Sequence, residues 1–159
     1  MDRSHVTDTP SRSRFNELKQ REEPIPDTEL EEFWTTLEPA SIDFMIGEWT
    51  GGELVTGHRG NGFLGDRWFG TTFTSAADVQ PIICLDADGN KFSDTKLMNG
   101  AASLWMEEFR GELTATMVYD GAPVHDHFKK VDDDAVVAIT NGKGVLDEGR
   151  YMYFYLERV

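Results

Sequence analysis

Asp43-Phe44-Met45-Ile46-Gly47-Glu48-Trp49-Thr50-Gly51-Gly52-Glu53-Leu54-Val55-Thr56 is the stretch whose reading decides the fold: an apolar entry, a Gly-x-Trp-x-Gly pentapeptide and a strand-like exit. Gly47 and Gly51 carry no Cβ, so the backbone can bend there or lie against another segment while Trp49 buries its large ring. A first barrel strand begins in this way, with the tryptophan plugging one end of a core. Downstream, the pattern has period two. Leu113, Ala115, Met117 and Tyr119 alternate with Glu112, Thr114, Thr116 and Val118, which describes a strand with one wetter face. Further strands are expected over 66–74, 79–85, 103–109, 124–131, 135–140 and 150–157, and Asp88-Gly89, Asp120-Gly121 and Asn141-Gly142 are hairpin signals. Many short strands joined by tight turns predict a mainly β fold, an antiparallel calycin-like β-barrel.

The last strand is apolar on both faces, Tyr151, Tyr153 and Tyr155 alternating with Met152, Phe154 and Leu156, so its outer side needs a cover. An N-terminal helix or a partner subunit can supply one, which leaves a homodimer open. The helix is announced by Pro26-Asp27-Thr28-Glu29-Leu30-Glu31, where Thr28 and Glu31 form a capping-box pattern, and by the stripe Leu30, Phe33, Trp34 and Leu37 ahead of Pro39. It caps the barrel. Residues 1–26 are rich in Ser, Thr, Arg, Glu and Pro and read as a flexible arm; its Phe15 and Leu18 offer a way to dock on the domain or on a second subunit. Residues 27–159 form a single barrel domain.

A chain of 159 residues suits one domain with a core of its own. Its formal net charge of −14 argues against nucleic acid and against anionic membrane surfaces, both of which recruit clustered Lys and Arg. Cys84 is alone, which rules out an intramolecular disulfide and suits a cytoplasmic protein. No apolar run approaches the roughly 20 residues of a membrane helix, and Met1-Asp2-Arg3-Ser4-His5 lacks a secretory h-region, so a soluble protein is expected.

The chemistry-bearing candidate is His125-Asp126-His127-Phe128. Strand alternation sets His125 and His127 on one face and Asp126 with Phe128 on the other, and only one pair can face the interior. Inward histidines would bind a metal or pass protons, whereas an inward Asp126 would have its pKa raised by desolvation and serve as a general acid. His58, in the loop Gly57-His58-Arg59-Gly60-Asn61-Gly62, is placed to hang over a barrel mouth or to be an exposed turn residue. Together His58, His125 and His127 would make an imidazole set for a metal, but no metal is expected, because spacing on one strand plus a distant residue is a weak signal. Asp86-Ala87-Asp88-Gly89-Asn90 lacks EF-hand spacing, Asp132-Asp133-Asp134 reads as a solvated turn, and no Gly-x-Ser-x-Gly elbow exists.

Gly47-Glu48-Trp49-Thr50-Gly51, with His58 following and Trp68-Phe69-Gly70 further on, resembles the small bacterial family named for its GXWXG motif. In that family a second domain of unknown function follows; Tyr119 to Phe128 together with Tyr153-Phe154-Tyr155-Leu156-Glu157-Arg158 resembles it. The likeness runs from about Thr28 to the C-terminus, with residues 27–80 as the GXWXG part and 100–159 as the C-terminal part. Gly70-Thr71 stands where the family pattern has Gly-Lys, and Gln80-Pro81 where it has His-Pro. The resemblance marks Asp126, His127 and Phe128 as family-like positions. The opening is also loosely similar to that of the haem-binding nitrobindins, yet Gly51-Gly52-Glu53 departs from them, and no cofactor is expected.

The supply of large apolar side chains exceeds what a small closed barrel needs, so some are expected to line a cavity: Trp49, Trp68, Phe73, Trp105, Met117, Phe128 and Tyr153. The function expected is the binding of a small apolar molecule. Upon it the protein would act as a cofactor-independent acid/base isomerase or lyase, for example on a terpenoid epoxide, using Asp126, His127, His58 or His125. The alternative is a carrier or sensor that only binds.

Overall fold

The computed structural model describes residues 9–159; the start of the expected arm, residues 1–8, lies outside the described residues. Pro10 opens helix α1 (Pro10–Lys19), whose first turn is capped by the Thr9 hydroxyl accepting from the Arg12 amide at 3.1 Å. Helix α2 (Asp27–Thr36) starts one residue before the expected capping box: Pro26 occupies the cap position with no side-chain bond, and Glu31 turns instead to Arg110 and the Tyr153 hydroxyl. A two-residue strand β1 (Glu38–Pro39) and a single helical turn α3 (Ile42–Met45) lead into the motif strand β2 (Gly47–Glu53). Then come β3 (Trp68–Ser75), β4 (Asp78–Leu85), β5 (Lys91–Ser93), β6 (Ala102–Phe109), β7 (Glu112–Tyr119), β8 (Val124–Asp132), β9 (Ala135–Gly142) and β10 (Met152–Arg158).

From β2 onward each strand pairs antiparallel with the next, except that β5 only extends β4, so that β4 pairs directly with β6. β10 pairs with β2, closing an antiparallel barrel of eight strands. The expected fold class is therefore the observed one. Among the turn signals, Asp88-Gly89 joins β4 to β5 with Gly89 at φ 81°, whereas Asn141-Gly142 ends β9 and a longer connection leads to β10.

Two apolar cores result from one sheet. Inside the barrel Trp49, Phe73, Leu104, Met117, Phe128, Phe154 and Leu156 pack together. Outside it, Val137, Ile139 and Tyr153 on β9 and β10 pack under Leu30, Phe33 and Trp34 of α2 and under Phe15 and Leu18 of α1. The two-sided apolarity of β10 thus has its cover within the chain. The expectation of a flexible arm is corrected from Pro10 onward: Phe15 and Leu18 are both 0 % exposed, and Arg12 is fastened to Asp132 at 2.7 Å. Two apolar side chains one helical turn apart are enough to seat a short helix once a greasy sheet face awaits them. Lys129, on the same outer face, is buried beneath α2; its Nζ donates to the Trp34 carbonyl at 3.1 Å and pairs with Glu112 at 2.6 Å.

Trp49 closes one end of the barrel, as the sequence predicts. It is 1 % exposed, its Nε1 donates to the Met45 carbonyl at 2.8 Å, and the Arg158 guanidinium lies 4.1 Å from its ring centre. Gly70 earns its place opposite: a Cβ there would run into the Trp49 carbonyl, so only glycine lets β2 and β3 approach this closely.

Candidate functional site

Above the layer in which Phe73 and Phe128 meet edge to face, with centroids 5.8 Å apart, the barrel leaves a cavity of about 140 Å³. It lies at the end away from Trp49. Trp68, Pro81 and Ile82 wall it on the β3–β4 side, Met117, Met152 and Phe154 on the other, and Phe63, Leu64 and Met98 stand at the mouth. Trp68 points inward because the β3–β4 register shifts between Trp68 and Gly70 and again before Thr72; the bulge re-aims a side chain that strict alternation would not send to the same face as Thr71.

Asp126 is the acid in this wall. It sits on β8 between Met117 of β7 and Thr140 of β9, in register with both. In a ring of eight strands β8 stands four places from β3, so Asp126 and Trp68 belong to opposite walls. The carboxyl is 1 % exposed and neither oxygen has a hydrogen-bond partner of good geometry. Burial raises its pKa to about 7, against the smaller opposing influence of the Thr140 and Tyr119 hydroxyls beside it and of His125. Near neutrality it is therefore divided between acid and carboxylate. Tyr119 holds its proton far more tightly than a free phenol, because its hydroxyl is buried and faces the Asp126 charge.

Three other polar side chains of the wall are engaged within the protein. Thr71 donates its hydroxyl to the Pro81 carbonyl at 2.9 Å, and Trp68 donates Nε1 to the Gly70 carbonyl at 2.9 Å. Glu53 accepts from Asn61 Nδ2 at 2.9 Å and from the Gly62 amide at 3.0 Å. The cavity is thus largely apolar with one polar pole, the Asp126 carboxyl with the Tyr119 and Thr140 hydroxyls beside it.

The histidines lie elsewhere. His127 faces outward, stacked on Phe109 with centroids 4.1 Å apart and planes 9° apart. Thr116 donates its hydroxyl to the Thr114 carbonyl at 3.2 Å and so accepts from His127 Nδ1–H at 2.9 Å, which leaves Nε2 to accept from Asn141 Nδ2 at 3.1 Å. Desolvation lowers its pKa to about 4, so this imidazole is neutral at pH 7. His125, half-exposed on the same outer face, meets Glu107 at 2.7 Å. His58 is held in its loop, Nδ1 accepting from the Gly60 amide at 2.8 Å and Nε2 donating to the Val145 carbonyl at 2.7 Å. None of the three lines the cavity, and among the described residues no three His, Cys, Asp or Glu side chains gather as a metal-binding group.

Of the expected ligand-contacting side chains, Trp68 and Met117 line the cavity. Trp49, Phe73 and Phe128 belong to the packed core beyond it. Trp105 is corrected: it is 59 % exposed on the outside of β6, its Nε1 donating to the Ser103 hydroxyl at 2.8 Å. Tyr153 also faces outward, under the helices, and donates to Glu31 at 3.1 Å. The sequence patterns do not mark Tyr119 and Thr140 as cavity residues. Period-two alternation with Met117 already placed Tyr119 on the inner face, whereas Thr140 is brought to Asp126 only by the β8–β9 register. No helix among the described residues is long and apolar enough to cross a membrane.

Two family models match the chain. Residues 32–89 match the GXWXG protein family, and residues 100–158 match a domain of unknown function, DUF4334. The chain is similar to a protein from Thermomonospora curvata known from its crystal structure, with a TM-score of 0.83 and 34 % identity over 95 % of this chain and 99 % of that one. No functionally curated protein matches.

Proposed function

The chain belongs to the family in which a GXWXG domain is followed by this domain of unknown function, and for this member we propose that the barrel binds one small, mostly apolar molecule and acts on it as a cofactor-independent acid/base isomerase or lyase. The observation that carries the reading is the Asp126 carboxyl, buried without a hydrogen-bond partner and turned into an apolar cavity. A dry carboxyl whose pKa lies near 7 can donate a proton and take one back at neutral pH, which is the condition for efficient general acid and base catalysis by one group. With about 140 Å³ available, the ligand is on the scale of a single substituted ring; an engineered apolar cavity of roughly 150 Å³ holds benzene.

A strained terpenoid epoxide suits both properties. The Asp126 acid delivers its proton to the epoxide oxygen as a C–O bond breaks, and positive charge grows on carbon. Loss of a proton from the neighbouring carbon to the Asp126 carboxylate then makes a C=C bond and regenerates the acid, so the product is an isomeric allylic alcohol and nothing is consumed. The apolar walls keep water from capturing the cation. The Tyr119 and Thr140 hydroxyls stand beside the carboxyl, where they can meet the substrate oxygen as it is protonated. His127, His125 and His58 take no part in this step.

The carrier reading has its own support, since Glu53 is tied to the loop and Asp126 has no second acid or base beside it in the cavity. In a carrier, the protonated carboxyl would simply donate a hydrogen bond to a ligand oxygen. Turnover of a monocyclic terpenoid epoxide by the parent protein and by Asp126→Asn separates the two. The amide keeps the shape and loses the proton, so the rate is expected to fall by at least about 100-fold with binding retained. Binding without turnover in the parent would leave the carrier and sink the enzyme.

A further inference from the structure

β2 turns Trp49, Gly51 and Glu53 towards the barrel interior: Trp49 plugs the closed end, Glu53 stands at the cavity, and Gly51 lies between them. Trp68 of the neighbouring strand lays its indole over Gly51. A Cβ built on Gly51 would come no more than 2.7 Å from three atoms of the ring, Cη2, Cζ2 and Cζ3. Non-bonded carbons settle at about 3.5–4.0 Å, so the ring would have to retreat by roughly 1 Å. Its other sides are held. Nε1 donates to the Gly70 carbonyl at 2.9 Å with the Pro81 carbonyl at 3.3 Å, and the ring meets Phe154 edge-on with centroids 5.9 Å apart. Because Gly51 faces the barrel axis, a side chain there pushes the indole towards the axis, where the cavity lies.

We infer that Gly51 is a specificity-determining position: the absence of a side chain lets Trp68 lie back against β2, and this sets the largest ligand the cavity admits. The inference rests on the reading of the cavity as a ligand site, but not on any proton transfer by Asp126. The cavity is already of single-ring size, so a wall displaced by roughly 1 Å decides whether ring substituents fit. The second glycine of the motif thereby shapes a binding site, while its tryptophan closes the barrel.

The test uses hydrocarbons of graded size, benzene, toluene and p-cymene, titrated into the full chain and followed by NMR, with the Trp68 indole N–H as local reporter. Gly51→Ala is expected to bind benzene within about threefold of the parent, to lose about tenfold or more for p-cymene, and to shift the Trp68 N–H signal. Trimming the ring should undo this, so Gly51→Ala/Trp68→Phe regains p-cymene binding, and Trp68→Phe alone binds p-cymene more tightly than the parent does. If Gly51→Ala does not fold, the Trp68→Phe result decides alone. Equal weakening across the series, no gain for Trp68→Phe, or a parent that binds none of the three overturns the inference. Failure of epoxide turnover overturns only the proposed reaction, since hydrocarbons bind without a proton donor.

Discussion

Replacing Asp126 by Asn should stabilise the protein increasingly as pH rises, because the native state holds a carboxyl that resists ionisation. In the unfolded chain this group titrates near 3.9, whereas in the barrel burial lifts it to about 7. Between those values the native state binds the proton and the unfolded state does not. The parent's stability therefore falls as pH rises through the window from about 4 to about 7, by about 1.4 kcal/mol per unit at most, and levels off above the folded pKa. From pH 5 to pH 8 the Asp126 contribution lost is roughly 2.5 kcal/mol. The carboxamide of the variant does not titrate, and it can use the Tyr119 and Thr140 oxygens that stand beside it. Urea unfolding of both proteins at several pH values isolates the effect, because the chain's other carboxylates cancel in the difference. The stability of the variant relative to the parent should climb by roughly 2.5 kcal/mol between pH 5 and pH 8. A difference constant to within about 0.5 kcal/mol would show a carboxyl that ionises as freely folded as unfolded, and the acid/base role built on its burial would go with it.

His127 should work in the opposite direction: with its folded pKa lowered to about 4, stability is lost as pH falls from about 6.5 towards 4, so His127→Asn and the parent should converge by roughly 2.5 kcal/mol over that range in urea titrations. Trp49→Ala should cost about 3–5 kcal/mol, since it empties the plugged end of the barrel and strands the Met45 carbonyl; a cost under about 1 kcal/mol by denaturant unfolding would remove the motif tryptophan from the core. Deleting residues 1–19 uncovers the sheet face beneath Phe15 and Leu18 and should lower the melting temperature by roughly 10 °C, with exposed apolar surface read by dye binding; an unchanged melting temperature would mean that α1 contributes nothing.

Period-two alternation, turn signals and the Gly-x-Trp-x-Gly stretch were enough to read the barrel, the plugging role of Trp49 and the covering role of α2, because each is a local property of the chain. The same alternation showed that Asp126 and His127 must part company across β8. Which of them faces the cavity was decided only by closure of the sheet. A closed barrel has two faces, and along β8 to β10 both are dry: outside, α2 covers Lys129 and Tyr153 and Phe109 stacks on His127, while inside Phe128 is buried. Apolar content therefore did not distinguish a cavity wall from a helix seat, which is why Tyr153 read as a ligand contact. Trp105 misread for the converse reason, since a strand with no helix over it leaves a large aromatic in water. The arm's docking joins Phe15 and Leu18 to the outer face of β9 and β10 and Arg12 to Asp132, 120 residues away, and the Trp68 wall rests on a bulge against β4. Such contacts join residues distant in sequence, and their geometry exists only once the strands have found their register.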